Sequence, residues 1–314
     1  MSKNKNINKG FLYAEIAQFA YAALTALLIL FTWTNFQNPQ ALLWERVTMI
    51  SGTVALWFVY RLWPSKIIMF CRIGYLLLML SSWYPDTYEL NNQFGSFDNV
   101  FAKYEQNLFG FQPAYLFSRT FSSAVVSELM YAGYVSYYLF FVFTVFIVFF
   151  RDYKQIERVT FMVLTGFFLC YVIYIFLPVT GPQYYFLAIG EESVRAGNFP
   201  DVGRFFSETQ ECLPAPGWNK GFFYWLNQLA HQAGERPTAA FPSSHVAIAT
   251  LVMLMVTKMK MWKWLMILAI PFMLLCLSTV YIQAHYAIDA IAGMVYGAVL
   301  FIVLGGLKLK RCGG

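Results

Sequence analysis

Phe241-Pro242-Ser243-Ser244-His245 leads into an apolar run that lasts to residue 258, and His285-Tyr286-Ala287-Ile288-Asp289 leads into another that lasts to 306. The chain has three histidines, and two of them stand at these two places. A Pro-Ser-Ser turn before an apolar run is a helix start, and His285 and Asp289, four residues apart, share one helix face. Each run approaches the roughly 20 residues that cross a bilayer, so both histidines fall at the mouth of a membrane span. An ionisable group there is either satisfied by a partner or used for chemistry.

Six more stretches are apolar enough to span or nearly so: 14–34, 47–63, 66–84, 129–150, 158–178 and 262–282. Hydrophobic residues make up 59% of the chain and charged residues 12%, against about 25% charged in a soluble domain. The fold class predicted is all-α: a polytopic membrane protein with about eight transmembrane helices. Only Pro64-Ser65 separates the second and third, which reads as a hairpin. Lys3, Lys5 and Lys9, the Arg61, Lys66 and Arg72 group, Arg151, Lys154 and Arg158, Lys258, Lys260 and Lys263, and Lys308, Lys310 and Arg311 all fall on one side. The positive-inside rule makes that side cytoplasmic and places both termini there. The net charge of +6 is thereby explained by topology and calls for no nucleic acid. P-loops, dinucleotide-binding glycine fingerprints and zinc-spaced Cys or His pairs are absent from the sequence. The basic, apolar N-terminus is too long for a signal peptide and lacks a small-residue cleavage site.

The predicted organisation is 1–84, N-terminal helices; 85–128, an outer aromatic-rich loop; 129–306, a catalytic region containing an outer loop at 179–241; and 307–314, a cytoplasmic tail. Loops of such length are often lids or binding elements. Of the five cysteines only Cys212 faces outward, so no external disulfide forms within one chain. His231 lies in a loop without a partnering motif and reads as solvated.

A Pro-Ser-Ser-His turn feeding a helix offers backbone N–H groups and the positive dipole end to a phosphate, with Ser243 and Ser244 adding hydroxyls. Asp289 can hold one ring nitrogen of His285 and leave the other to attack. His245 then serves as the acid that protonates the leaving oxygen and the base that activates the acceptor. Two histidines and one carboxylate suffice for phosphoryl transfer through a phosphohistidine, with no cofactor and no metal. A buried structural His–Asp pair is the plainer reading of His285 and Asp289 taken alone.

Phe241 to His245 and Ser278 to Asp289, with Tyr281, Tyr286, Ala292 and Gly293, resemble the second and third signature motifs of the type 2 phosphatidic acid phosphatase (PAP2) superfamily. The resemblance implies His285 as nucleophile, His245 as general acid/base, Asp289 as partner of His285 and Ser243 as a phosphate ligand. It also implies a six-helix catalytic core, with the first two spans an addition. Two departures stand out: Thr279 occupies a position where the family's phosphatases carry Arg, and no Lys stands at the family's distance from Arg236-Pro237. Arg236 is the first candidate for the missing cation, followed by Arg195, Arg204 and Lys220. The reduced pattern, with Leu177 to Tyr185, is similar to the inositol phosphorylceramide synthase and sphingomyelin synthase branch.

The function this implies is phospho-head-group transfer between lipids at the outer membrane face, the substrate a phospholipid or lipid phosphate and the acceptor a lipid alcohol. The alternatives are hydrolysis of a lipid phosphomonoester or pyrophosphate and, outside enzymes, a transporter or channel. Gln183, Tyr184, Tyr281 and Glu128 are candidate substrate-lining residues. The expected location is a bacterial inner membrane, with the site facing the periplasm.

Overall fold

The computed structural model describes residues 10–308 except 235 and 239. Lys3, Lys5, Lys9, Lys310, Arg311 and Cys312, which enter the charge and cysteine readings above, lie outside the described residues. Three long helices open the chain, each started by a local signal. In α1 (Tyr13–Phe31) the Glu15 carboxylate reaches back to the Leu12 N–H at 2.8 Å. In α2 (Pro39–Leu62) proline occupies the first turn and the Asn38 side chain accepts the Ala41 N–H at 3.1 Å, and in α3 (Lys66–Asn91) the Ser65 hydroxyl accepts the Ile68 N–H at 3.2 Å. These are N-caps that satisfy otherwise orphaned donors.

Two boundaries differ from the sequence reading. Helix α2 begins well before residue 47, and α3 runs through Pro85 to Asn91 rather than ending at 84. Arg46 and Asp86 make those ends look like loops in sequence, yet they neutralise one another inside the bundle. Arg46 Nη2 lies 2.7 Å from Asp86 Oδ2, and its Nε donates to Thr25 Oγ1 at 2.9 Å. Arg72, expected among surface charges, is likewise buried and forks onto Glu15 at 2.8 and 2.6 Å, the strong bidentate geometry of guanidinium with carboxylate.

The outer segment after α3 folds into α4 (Asp98–Phe109) and α5 (Pro113–Thr120). Helix α6 (Ala124–Val135) then passes through a π-helical turn, Leu139–Phe143, into α7 (Thr144–Arg151) with a bend of 41°. Helix α8 (Ile156–Phe176) follows, and the second outer segment carries α9 (Pro182–Ile189), α10 (Glu191–Arg195) and α11 (Phe222–Gly234). The chain closes with α12 (Ser244–Lys258), α13 (Trp262–Tyr281) and α14 (Ala287–Gly306). No strand occurs among the described residues.

Six helices, α1, α2, α3, α8, α13 and α14, are long and apolar enough to cross a membrane, and the bent pair α6 and α7 makes a seventh if it counts as one span. Helix α12, the remaining stretch expected to span, has 15 residues, about 22 Å at 1.5 Å per residue against a hydrocarbon core of about 30 Å. It is shielded by protein instead: Ala247, Ile248, Leu251 and Val252 are wholly buried. Its closest neighbour is α14, which approaches through Gly293 and Gly297. A Cβ on Gly293 would lie 2.7 Å from the Ser243 carbonyl, and one on Gly297 would run into the Ala247 carbonyl. Small residues four apart let helix backbones touch where no hydrophobic effect drives association. This contact brings the starts of α12 and α14 side by side.

Candidate active site

The turn before α12 is fixed from two sides. Ser243 caps the helix by accepting the Val246 N–H at 3.4 Å, while its own N–H donates to the Asp289 carbonyl at 3.1 Å. From α8, the Tyr174 hydroxyl donates to the Pro242 carbonyl at 2.8 Å and accepts the Ser244 N–H at 3.0 Å. The Phe241–Pro242 peptide is cis. Both serines are buried, so the N–H groups of Ser243, Ser244 and Val246 already have partners within the fold.

His285 follows a left-handed Gln283, and its backbone N–H donates to the Thr279 carbonyl at 3.0 Å. Its Nδ1 lies 2.8 Å from the Ala240 carbonyl. A carbonyl can only accept, so the Nδ1 carries the proton and the lone pair of the neutral ring is on Nε2. Asp289 Oδ2 is 3.8 Å from Nδ1, an electrostatic separation beyond hydrogen-bond reach. The sequence reading gave Asp289 the ring nitrogen; the structure gives it to Ala240. The cause is local: Asp289 stands in the first turn of α14, and its Oδ2 reaches back to cap the Tyr286 N–H at 2.8 Å.

His245 faces His285 edge to face, with ring centroids 5.7 Å apart. Its ring lies between Tyr134, stacked at 4.7 Å, and Tyr137, tilted at 4.1 Å. Its Nδ1 is buried without a hydrogen-bond partner. The two histidines and the two helix starts therefore form one cluster, roofed by α4, whose Phe101 packs on Phe241 at 4.7 Å.

Two acidic residues of α4, which sequence reading passed over, reach this cluster. Asp98, fully buried, accepts from Ser96 Oγ (2.6 Å), the Thr180 N–H (2.8 Å) and hydroxyl (2.9 Å), the Gly181 N–H (2.9 Å) and the Tyr286 hydroxyl (3.1 Å). It pins the segment after α8 to the start of α14. Glu105, also buried, accepts the Ala287 N–H at 2.6 Å and the Ile288 N–H at 3.4 Å through Oε1. Burial and then the charge of Asp289 push the Glu105 carboxyl up to about 8. The available signal was the presence of two carboxylates in an aromatic segment bound for the membrane surface.

Other candidates lie elsewhere. Arg236 lines a cleft of about 1050 Å³ between α2 and α3 together with Glu45, Asp86 and Glu89, a set that contains neither histidine. Arg195 bonds Tyr115 and Glu191, Arg204 bonds the Asn92 carbonyl, and Lys220 is exposed. Glu128 accepts the N–H groups of Phe223 and Tyr224 at 3.0 Å each, capping α11. Tyr281 is wholly buried, its hydroxyl bonded to the Phe121 carbonyl and Ser127. Gln183 is bonded through its backbone to Gln283 and Leu213, and Tyr184 belongs to the apolar cluster of the outer segments. His231, expected to be solvated, contacts the Cys212 sulfur at 3.7 Å. Among the described residues no group of three or more His, Cys, Asp or Glu side chains is arranged to hold a metal ion.

Comparison with curated proteins and with solved structures yields no match. The sequence model of the PAP2 superfamily matches residues 100–303, which leaves α1 to α3 outside the match and takes in α4 from residue 100 onward, with Glu105 but not Asp98. Because that range covers more than half of the chain and both histidine motifs, the chain belongs to the PAP2 superfamily, as a phosphatase-type membrane enzyme of lipid phosphates.

Proposed function

We propose that the protein transfers a phospho-head-group between lipids at the outer membrane face, through a phosphohistidine on His285 and without a metal ion. The observation that carries this reading is the Nδ1 contact of His285 with the Ala240 carbonyl at 2.8 Å, which leaves the Nε2 lone pair as the nucleophile. His245, across the cluster, protonates the departing lipid alcohol and afterwards takes the proton of the acceptor. Two imidazolium rings at this separation repel, which favours one neutral ring and one charged ring. Burial and then His285 push the His245 imidazole well below its usual range, so it takes up its proton beside the bound anionic phosphate. Ser243 and Ser244 are the nearest phosphate ligands, since the 3.4 Å bond from Val246 to Ser243 Oγ is long enough to be exchanged for a phosphate oxygen.

Transfer is favoured over hydrolysis by charge and by access. Thr279 is buried where the family's phosphatases carry Arg, and Arg236 keeps company with Glu89. A phosphodiester carries one negative charge and needs less compensation than a phosphomonoester. His285 is 3% exposed, and a site that excludes water favours a lipid hydroxyl as acceptor. The resemblance to the inositol phosphorylceramide synthase and sphingomyelin synthase branch points the same way.

The test incubates purified protein with phosphatidic acid, diacylglycerol pyrophosphate, polyprenyl pyrophosphate or phosphatidylinositol, each with and without ceramide or diacylglycerol. A new phospholipid that forms only with an acceptor is the expected result. Phosphate release indifferent to the acceptor would leave a hydrolase. Activity should persist in EDTA; loss on chelation with recovery in Mg or Zn would end the metal-free mechanism. An impermeant thiol reagent applied to intact cells should label a cysteine placed at exposed Trp218 and spare one at Lys260; the reverse pattern would turn the site inward.

A further inference from the structure

The start of α14 leaves two buried carboxyl oxygens unaccounted for. Glu105 uses Oε1 on the Ala287 and Ile288 N–H groups, and Asp289 uses Oδ2 on the Tyr286 N–H. Both carboxyls thus sit on successive N–H groups of one helix start and are neighbours. Their other oxygens, Glu105 Oε2 and Asp289 Oδ1, are both buried with no hydrogen-bond partner. Two ionised carboxylates in that arrangement would repel in a poorly solvated site, and each would keep a bare oxygen. One proton between them removes both difficulties.

We propose that Glu105 is held protonated and donates from Oε2 to Asp289 Oδ1, so that the pair carries a single negative charge behind His285. The proposal rests on the reading of His285 as nucleophile and adds a positioning residue to it. Asp289 remains the anion 3.8 Å from the His285 ring, while Glu105 orients its carboxylate and adds no second charge. The titratable groups around Glu105 are Asp289 on α14, with His285, Tyr286 and Asp98 next to Asp289. Among the described residues neither carboxyl is paired with a Lys or Arg that could make a double negative charge tolerable. The direction of the Glu105 shift agrees: its proton is retained at neutral pH and lost as pH rises through about 8.

Gln is the test residue, because its amide reproduces a protonated carboxyl: the oxygen accepts the Ala287 N–H and the NH₂ donates to Asp289. Glu105→Ala should lower kcat by about 10- to 100-fold, the scale seen when a partner that orients an active group is lost. Glu105→Gln should recover most of that loss and lack the alkaline decline expected of the wild type near pH 8. Infrared spectra of unreacted protein should show a protonated-carboxyl C=O band that disappears in Glu105→Gln. A Gln variant as impaired as Ala, or a wild type with no such band, would overturn the shared proton. The band needs no turnover, so it is read separately from the phosphohistidine chemistry, which His285 variants decide.

Discussion

Replacing His285 by Ala or Gln should abolish turnover, by at least about 10⁴-fold, because removal of a covalent nucleophile leaves only the binding and electrostatic remainder of catalysis. The protein should stay folded, since the α12–α14 contact through Gly293 and Gly297 does not involve the ring. Asp289→Asn should be milder. In triads where the carboxylate alone sets the histidine tautomer, the amide costs about 10⁴-fold. Here the Ala240 carbonyl sets it at 2.8 Å and Asp289 acts from 3.8 Å, so a loss of about 10²-fold is expected. Turnover of the substrate found in the lipid panel, with thermal stability measured alongside, checks both values. A labelled phosphoenzyme trapped in a His245 variant would support the covalent step directly, and full activity in His285→Ala would dispose of it.

The second large effect is expected far from the chemistry. Gly297→Val puts a side chain against the Ala247 carbonyl and within 2.8 Å of Thr250 Cβ, and the wholly buried α12 backbone at Ala247 cannot retreat. The helices must separate, at a cost of about 1–3 kcal/mol or more for overpacking. The same displacement pulls apart Ser243 and Asp289, joined at 3.1 Å. A shift of about 1 Å at a catalytic group costs about 10²-fold in rate. Gly306→Ala, with nothing within 4 Å of the added Cβ, serves as the control and should keep wild-type stability and rate. An unaltered melting temperature and rate in Gly297→Val would show that the close approach of α12 and α14 is not what aligns the two motifs.

What the sequence made legible was local. The pairing of His285 with Asp289 four residues on was legible, although His285 precedes the Tyr286 cap of α14 and does not share a helix face with Asp289; the Pro-Ser-Ser turn announces its own helix, and long apolar runs announce theirs. What stayed hidden depends on partners distant in the chain. Ala240 meets His285 across 45 positions, Tyr174 meets Pro242 across 68, and Glu105 meets Ala287 across 182. No period or propensity encodes such pairings. The misjudged ends of α2 and α3 have the same origin, since Arg46 and Asp86 look too polar for a span until each is seen to neutralise the other across 40 positions. Arg236 is close in sequence to the second motif, but the fold sets it in a cleft with Glu89, whose charge it feels.

The five donors gathered on Asp98 bear on the order in which the molecule is made. They come from Ser96, from Thr180 and Gly181, and from Tyr286, 188 positions downstream. Chains emerge from the ribosome N-terminus first, so α4 and the segment after α8 must wait for the residues that lead into α14 before this knot closes. His285 arrives with that same stretch, and so does the helix start that Glu105 and Asp289 cap. A half-synthesised chain, already inserted in the membrane, therefore lacks the proposed nucleophile and the assembled site, and under that reading it becomes competent only once α14 has been delivered.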